Sequence, residues 1–223
     1  MEQTWHDLLF AHWAVAPGDL RKLLPEEFEP DTFHRTGWVG VVPFRMSHIH
    51  ARGMPSLPGI SHFPELNVRT YVTLNNKPGV YFFSLDAASL PAVWAAKRFY
   101  HLPYFHAHMS AKSEADWIIY DARRDQSNAV FRARYRPTGP VQLREPGSLV
   151  HWLTERYCLY TMVEGRVRRA EIHHPRWPLQ EAEAQIEINT MAAASGISLP
   201  SDAPLLHFAR ELQVQIWPLS MVG

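Results

Sequence analysis

Eighteen prolines are spread through the 223 residues, and they constrain the fold more than any other feature of the chain. Inside a helix a proline removes a hydrogen bond and clashes with the preceding turn, so helices here are held short. Eight tryptophans add bulky side chains that suit a pleated, half-buried surface. Short strands joined by turns follow from this, rather than a helical bundle. All-β barrels and sandwiches of this length occur as one unit. Such a chain buries roughly 70% of its unfolded surface without staples, so residues 1–223 are expected to form a single domain.

Strands are predicted over Trp5–Val15, Thr36–Met46, Glu65–Leu74, Val80–Leu85 and Tyr104–Ala111, and again over Arg156–Met162, Val167–His174 and Glu211–Leu219. The Asn-Asn-Lys-Pro-Gly stretch from Asn75 to Gly79 predicts a hairpin. A second hairpin is predicted between Trp117–Arg123 and Ala129–Arg136, across Asp125–Asn128. Short helices are predicted at Pro17–Leu24, with Pro at its start, at Leu90–His101, at Ser148–Glu155, with Ser148 as cap, and at Leu179–Glu187. The stretch Arg52–Pro64 reads as a long loop, a length that in compact domains goes with function or mobility.

Composition excludes several functions. Lys plus Arg equals Asp plus Glu, 22 each, and a dedicated binder of nucleic acid or anionic membrane needs a basic surplus. Glu2, His6 and Asp7 interrupt any signal-peptide core, and no apolar run is long enough to span a membrane. The single cysteine, Cys158, permits no internal disulfide and fits a cytoplasmic location. No Gly-rich nucleotide loop, nucleophile elbow or His-Glu-x-x-His motif is present, so no cofactor is expected. Nothing in the sequence sets the oligomeric state, and a homo-oligomer stays open.

The segment ELNVRTYV, Glu65 to Val72, carries the most information. Side chains alternate across a strand, so Glu65, Asn67, Arg69 and Tyr71 share one face, while Leu66, Val68, Thr70 and Val72 share the other. Two readings are open from the pattern alone: a polar face in water, or a polar face lining a barrel interior. In the second, a carboxylate, an amide, a fixed cation and a hydroxyl converge as they do in small-molecule sites.

Other candidates weigh less. Lys97 sits one turn beyond Val93 and Trp94 on an apolar stripe. It is either a lysine whose stem covers that stripe or an amine available to a carbonyl. On the next strand Tyr104, His106 and His108 share a face, and His173 and His174 form another pair. No spacing matches a metal motif, so no metal is expected. Glu155, Arg156 and Tyr157 lie where a helix gives way to a strand, as an ion pair with packed aromatics or as site residues. Cys158 reads as a buried thiol. Arg132, Arg134 and Arg136 line one face of a strand, as an anion patch or as charges that keep an edge soluble.

The strings FAHW (Phe10–Trp13), VGVVPF (Val39–Phe44), ELNVRTYV, YFFSLDA (Tyr81–Ala87), LPY (Leu102–Tyr104), LTERYCLY (Leu153–Tyr160) and HHPRWPLQ (His173–Gln180) resemble the YqjF-like proteins, domain-of-unknown-function family 2071. The resemblance runs from about residue 5 to the C-terminus. More distantly the chain resembles the acetoacetate decarboxylase superfamily. That likeness implies a mainly β fold, an acetoacetate decarboxylase-like β-barrel with a few packed helices, and it supports an inward Glu65, Asn67, Arg69 and Tyr71. The decarboxylases carry Gly-aromatic-Pro-Lys with the lysine as Schiff-base nucleophile; this chain has Leu102-Pro103-Tyr104 there, so the activity is not carried over.

The expectation is therefore a barrel for a small carboxylate or carbonyl compound. Arg69 would anchor the anionic group, with Glu65 and Tyr104 as acid–base candidates for proton transfer, dehydration or lyase chemistry, and Asn67, Tyr71, His106 and Arg156 as binding residues. The alternatives are a non-catalytic sensor or carrier, and an interaction module whose polar set is only a satisfied core.

Overall fold

A computed structural model describes residues 1–50, 53 and 62–222. In chain order the elements are β1 (Glu2–Val15), α1 (Pro17–Leu23), β2 (Glu29–Pro30), β3 (Gly37–His50), β4 (Phe63–Leu74), β5 (Lys77–Ala87), α2 (Leu90–Tyr100), β6 (Tyr104–Glu114), β7 (Trp117–Arg124), β8 (Val130–Pro137), α3 (Leu149–Thr154), β9 (Cys158–Val163), β10 (Arg166–His173), β11 (Leu179–Asn189), β12 (Leu205–Ile216) and β13 (Ser220–Met221). The predicted loop Arg52–Pro64 lies outside the described residues except at Gly53 and from residue 62 on, and β4 begins at Phe63.

The predicted hairpins form where turn chemistry allows them. Asn75 and Asn76 both take positive φ, 50° and 60°, between β4 and β5, as the two central residues of a type I′ hairpin turn must. Helix α2 begins at Ser89, whose side chain accepts from the Ala92 amide, and ends at His101 in the left-handed region. Ser148 caps α3 in the same way, accepting from the His151 amide. The last long strand starts earlier than predicted, at Leu205.

One prediction is corrected. Leu179–Glu187 was expected to be a helix and is strand β11. Its Glu, Ala and Gln residues favour a helix locally. Yet Ala182, Ala184, Ile186 and Ile188 also recur at period two, and pairing with β8 decides the outcome. Arg134 donates to Gln185 at 2.8 Å and Arg136 pairs with Glu183 across that ladder. The arginine row of β8 is thus committed to cross-strand partners, with Arg132 bound to Asp121 of β7.

All thirteen strands belong to one sheet, in the order β13-β10-β9-β5-β6-β7-β8-β11-β12-β1-β3-β4-β2, with β5 also bonded to β4 and β10 to β12. Those two extra pairings close the sheet on itself twice. One ring runs β5-β6-β7-β8-β11-β12-β1-β3-β4, the other β5-β9-β10-β12-β1-β3-β4. The strands β12, β1, β3, β4 and β5 form a wall common to both. A common wall is buried on both faces, and every residue from Glu65 to Val72 is buried. Leu66, Val68 and Val72 join a core with Leu20, Leu24, Phe28, Tyr120 and Phe131. Phe10, Phe44, Leu85, Tyr104 and Trp177 belong to a second core, on the side to which β4 presents its polar residues.

Candidate functional site

The odd-numbered face of β4 organises the polar interior. Same-face residues on a strand are about 6.7 Å apart, which puts Glu65 and Arg69 about 13 Å apart along the strand. Two groups of side chains form along it, one at each end.

The first group is built on Glu65 and Tyr104. Parallel pairing of β5 with β6 sets Leu85 beside Tyr104, while antiparallel pairing of β4 with β5 sets Asn67 beside Leu85. Tyr104 is thereby delivered to the same face as the β4 polar row, and its hydroxyl donates to Glu65 Oε2 at 2.9 Å. Burial pushes the Glu65 carboxyl up to about 8, against the Tyr104 hydrogen bond that lowers it, with a further rise from Asp86. The Tyr104 hydroxyl is raised well above its ordinary value by burial and by Glu65. Burial thus favours the protonated form of both groups at neutral pH.

Asp86 points to the opposite face, where Arg124 grips it in a fork, Nε to Oδ1 at 2.6 Å and Nη2 to Oδ2 at 2.8 Å. Tyr120, from that same side, donates to the backbone carbonyl of Glu65 at 2.7 Å. These contacts fix the strand that carries the carboxyl. Glu65 and Tyr104 also line a pocket of about 170 Å³ roofed by α2, with Met46, Phe63, Ala92 and Ala96 among its walls.

The second group is built on Arg69. Its guanidinium lies against the rings of Phe10, at 5.3 Å, and Tyr71, at 5.8 Å. Among the described residues no carboxylate pairs with it, and its buried Nε has no hydrogen-bond partner. His12 stands beside it: Gly40 faces His12 on one side of β3 and Arg69 on the other. His12 Nε2 bonds the Tyr71 hydroxyl at 2.7 Å, while its Nδ1 has no partner. Burial first, then Arg69 and His207, hold the His12 pKa well below the usual histidine range, so the ring is neutral. Either tautomer leaves one donor on the pair, the Nδ1 proton or the Tyr71 hydroxyl. Asn67 Oδ1, between the two groups on β4, is likewise buried without a partner.

Arg156 joins the Arg69 end. It lies over Tyr71 at 4.9 Å and Trp152 at 4.2 Å, donates to the Trp152 carbonyl, and pairs with Asp31 at 2.6 Å. Its buried Nη2 has no partner. At this end of β4, among the described residues, the two guanidiniums of Arg69 and Arg156 have one carboxylate partner between them, Asp31 on Arg156.

The structure brings Glu65, Asn67, Arg69, Tyr71, Tyr104 and Arg156 to one side of the wall. It does not bring His106 there. His106 Nδ1 bonds Asp125 at 2.6 Å, Asp125 also meets His108, and all three are at least partly exposed. Lys97 is exposed, its Nζ 5.7 Å from the Phe105 ring. Cys158 is buried, and burial pushes its thiol up. Among the described residues no three His, Cys, Asp or Glu side chains are placed to hold a metal, and no helix is long and apolar enough to cross a membrane. The sequence reading missed His12, although Phe10 and His12 alternate within an apolar run, the same signal that singled out β4.

Comparison with known proteins places the chain. The model of the DUF2071 family, described as an uncharacterized conserved protein, matches residues 2–213. Uncharacterized protein YqjF of Bacillus subtilis (strain 168) is 48% identical over 220 residues, spanning 98% of this chain and 91% of the relative. Among solved structures, acetoacetate decarboxylase from Legionella pneumophila is similar with a TM-score of 0.68 and 14% identity, over 100% of this chain and 87% of that one. The enduracididine biosynthesis enzyme MppR with HEPES buffer bound gives 0.72 and 10%, over 100% and 87%. An acetoacetate decarboxylase-like enzyme from Sphingomonas wittichii RW1 gives 0.65 and 11%, over 100% and 92%. At these identities the likeness is one of fold, and that fold is acetoacetate decarboxylase-like. By family model and by sequence, the chain belongs to the DUF2071 family.

Proposed function

We propose that this protein binds a small oxo acid or related carbonyl compound along the inner face of β4 and catalyses proton transfer next to the carbonyl, without forming a Schiff base. The observation that carries this reading is the buried Glu65 carboxyl, raised to about 8 and hydrogen-bonded to Tyr104. A carboxylic acid kept protonated at neutral pH can donate to a carbonyl oxygen and, once ionised, take a proton back from the adjacent carbon. Tyr104 steadies the carboxyl with its one hydroxyl proton, and the Glu65 proton is the donor left for a developing enolate. Arg69, which pairs with no carboxylate among the described residues, anchors the acid end by its planar fork. Asn67, Tyr71 with His12, and Arg156 supply the remaining polar contacts. MppR, whose structure is also solved complexed with pyruvate, shares the fold and supports the ligand class by analogy only.

The lack of a buried lysine among the described residues favours acid–base over Schiff-base chemistry at a lysine. The chain has four lysines, Lys22, Lys77, Lys97 and Lys112, and none is buried. A carrier that holds the same ligand unchanged would use the same Arg69 anchor, so the test separates turnover from binding. Exchange of the methyl protons of pyruvate into deuterated water is followed by NMR with wild-type protein and Glu65→Gln. The expected result is enzyme-dependent exchange that drops by about 10²-fold or more in the variant. Binding without any exchange would establish the carrier instead.

A further inference from the structure

We infer that the pocket beneath α2 is an alkyl subsite: it seats a short unbranched hydrocarbon tail whose carbonyl meets Glu65 and Tyr104. This deepens the proposed function and rests on Glu65 and Tyr104 being the pair that faces the carbonyl. The pocket measures about 170 Å³. At roughly 30 Å³ for each water-sized group it takes about five non-hydrogen atoms, well below a drug-sized ligand. Its walls are apolar: Met46, Ile49 and Phe63 from the sheet, Ala92, Ala96 and Phe99 from the helix. Its polar side chains are Glu65 and Tyr104, with Tyr100 and Gln3.

The helix is built to leave this space. Val93 is buried in the core beneath α2, while Ala92 and Ala96, one turn apart, present only methyl groups to the pocket. A leucine at either position would occupy it. The chemistry at the Glu65 end sets the orientation. A carboxylate brought against a buried carboxyl and a phenol gains no compensating charge there, whereas a neutral carbonyl can accept the Glu65 proton's hydrogen bond. The charged end of an oxo acid therefore points along β4 towards Arg69, and the hydrocarbon end goes under α2.

The test uses full-length protein with carbon-13 methyl labels on Met and Ala, titrated with the straight-chain methyl ketones from 2-butanone to 2-heptanone. These probes have no carboxylate and so report on the α2 pocket independently of Arg69. The expected result is shifts at Met46, Ala92 and Ala96, with affinity rising about fourfold per added methylene until the pocket is full. Ala96→Leu should remove the gain from chain extension, and Ala96→Val should shorten the optimum if the leucine variant does not fold. Shifts that map elsewhere, no shifts at all, or a length dependence untouched by both variants would overturn the inference. Glu65→Gln separates the two readings: if it keeps the ketone length dependence while pyruvate exchange was never catalysed, the alkyl subsite stands and the catalytic proposal falls.

Discussion

Gly40 is the register partner of Arg69 in the β3–β4 ladder, and the side chain it lacks leaves room for the ring of His12 on its other side. A Cβ at Gly40 would sit 3.5 Å from Arg69 Cγ and 3.1 Å from the His12 ring. His12, Gly40 and Arg69 form one row across three strands, and the glycine in the middle lets the His12 ring lie close over it. Gly40→Val is expected to push His12 off Tyr71 and to cost about 1–3 kcal/mol of stability, the usual range for overpacking. The check is the urea midpoint together with the His12 ring resonances; an unchanged His12 environment would show that the row has slack.

Arg69 should matter more to ligand than to fold. Its guanidinium is buried with no carboxylate among the described residues, and an unpaired buried cation is a net cost to the folded state. Arg69→Met is therefore expected to leave stability unchanged or raise it by on the order of 1 kcal/mol, while pyruvate affinity falls at least tenfold. Arg69→Lys should also weaken binding, because a point charge does not reproduce a planar fork. Calorimetric titration beside urea denaturation tests this. Lost stability with unchanged affinity would make Arg69 a structural residue.

The Glu65 carboxyl makes stability fall with rising pH. Its folded pKa, about 8, lies above its ordinary 4.5, so the folded state keeps a proton that the unfolded chain releases. The contribution is complete below the ordinary value and is lost as pH rises through the interval up to about 8. Glu65→Gln removes this titration. Relative to wild type, the variant should gain on the order of 3 kcal/mol between about pH 5 and pH 8. His207 acts in the other direction. Burial lowers it to about 4 from 6.5, so its neutral form is stabilising above the ordinary value and that stability is lost as pH falls. Both proteins share that acid-side loss, and urea midpoints across pH distinguish the two effects.

Strand alternation made β4 legible in the chain, because a polar residue at every second position survives any tertiary context. The burial of its second face was not legible. It arises because β5 bonds to β4, β6 and β9, and pairing between distant strands leaves no local mark. Tyr104 was found for its place after Leu102-Pro103, and its meeting with Glu65 depends on that same β5–β6 pairing. His106 was expected beside it from period two. The alternation slips after Tyr104: Ala107 is buried, and His106 turns out to Asp125. Strand β11 was misread because Glu, Ala and Gln carry helical propensity, while the partner that overrides it, β8, lies some fifty residues earlier. Gly40 and His12 act only as a row across strands, which no single segment reveals.

Borohydride reduction in the presence of acetoacetate or pyruvate should leave the intact mass unchanged. Iminium formation needs an unprotonated amine in line with the carbonyl, at about 3 Å, inside the same cavity. Lys97, the amine closest in sequence to Tyr104, is exposed and lies against the outer ring of Phe105. Lys22 and Lys77 are engaged by Asp19 and Glu171, each at 2.8 Å, and Lys112 is exposed. The Tyr104 hydroxyl donates a hydrogen bond to Glu65 and forms no iminium. Proton exchange catalysed without a trapped adduct is the combined outcome expected of Glu65 acting as acid and base. A reduced adduct that maps to Lys97 and disappears in Lys97→Ala would mean that α2 swings its amine inward during turnover, and acid–base chemistry alone would no longer describe the site.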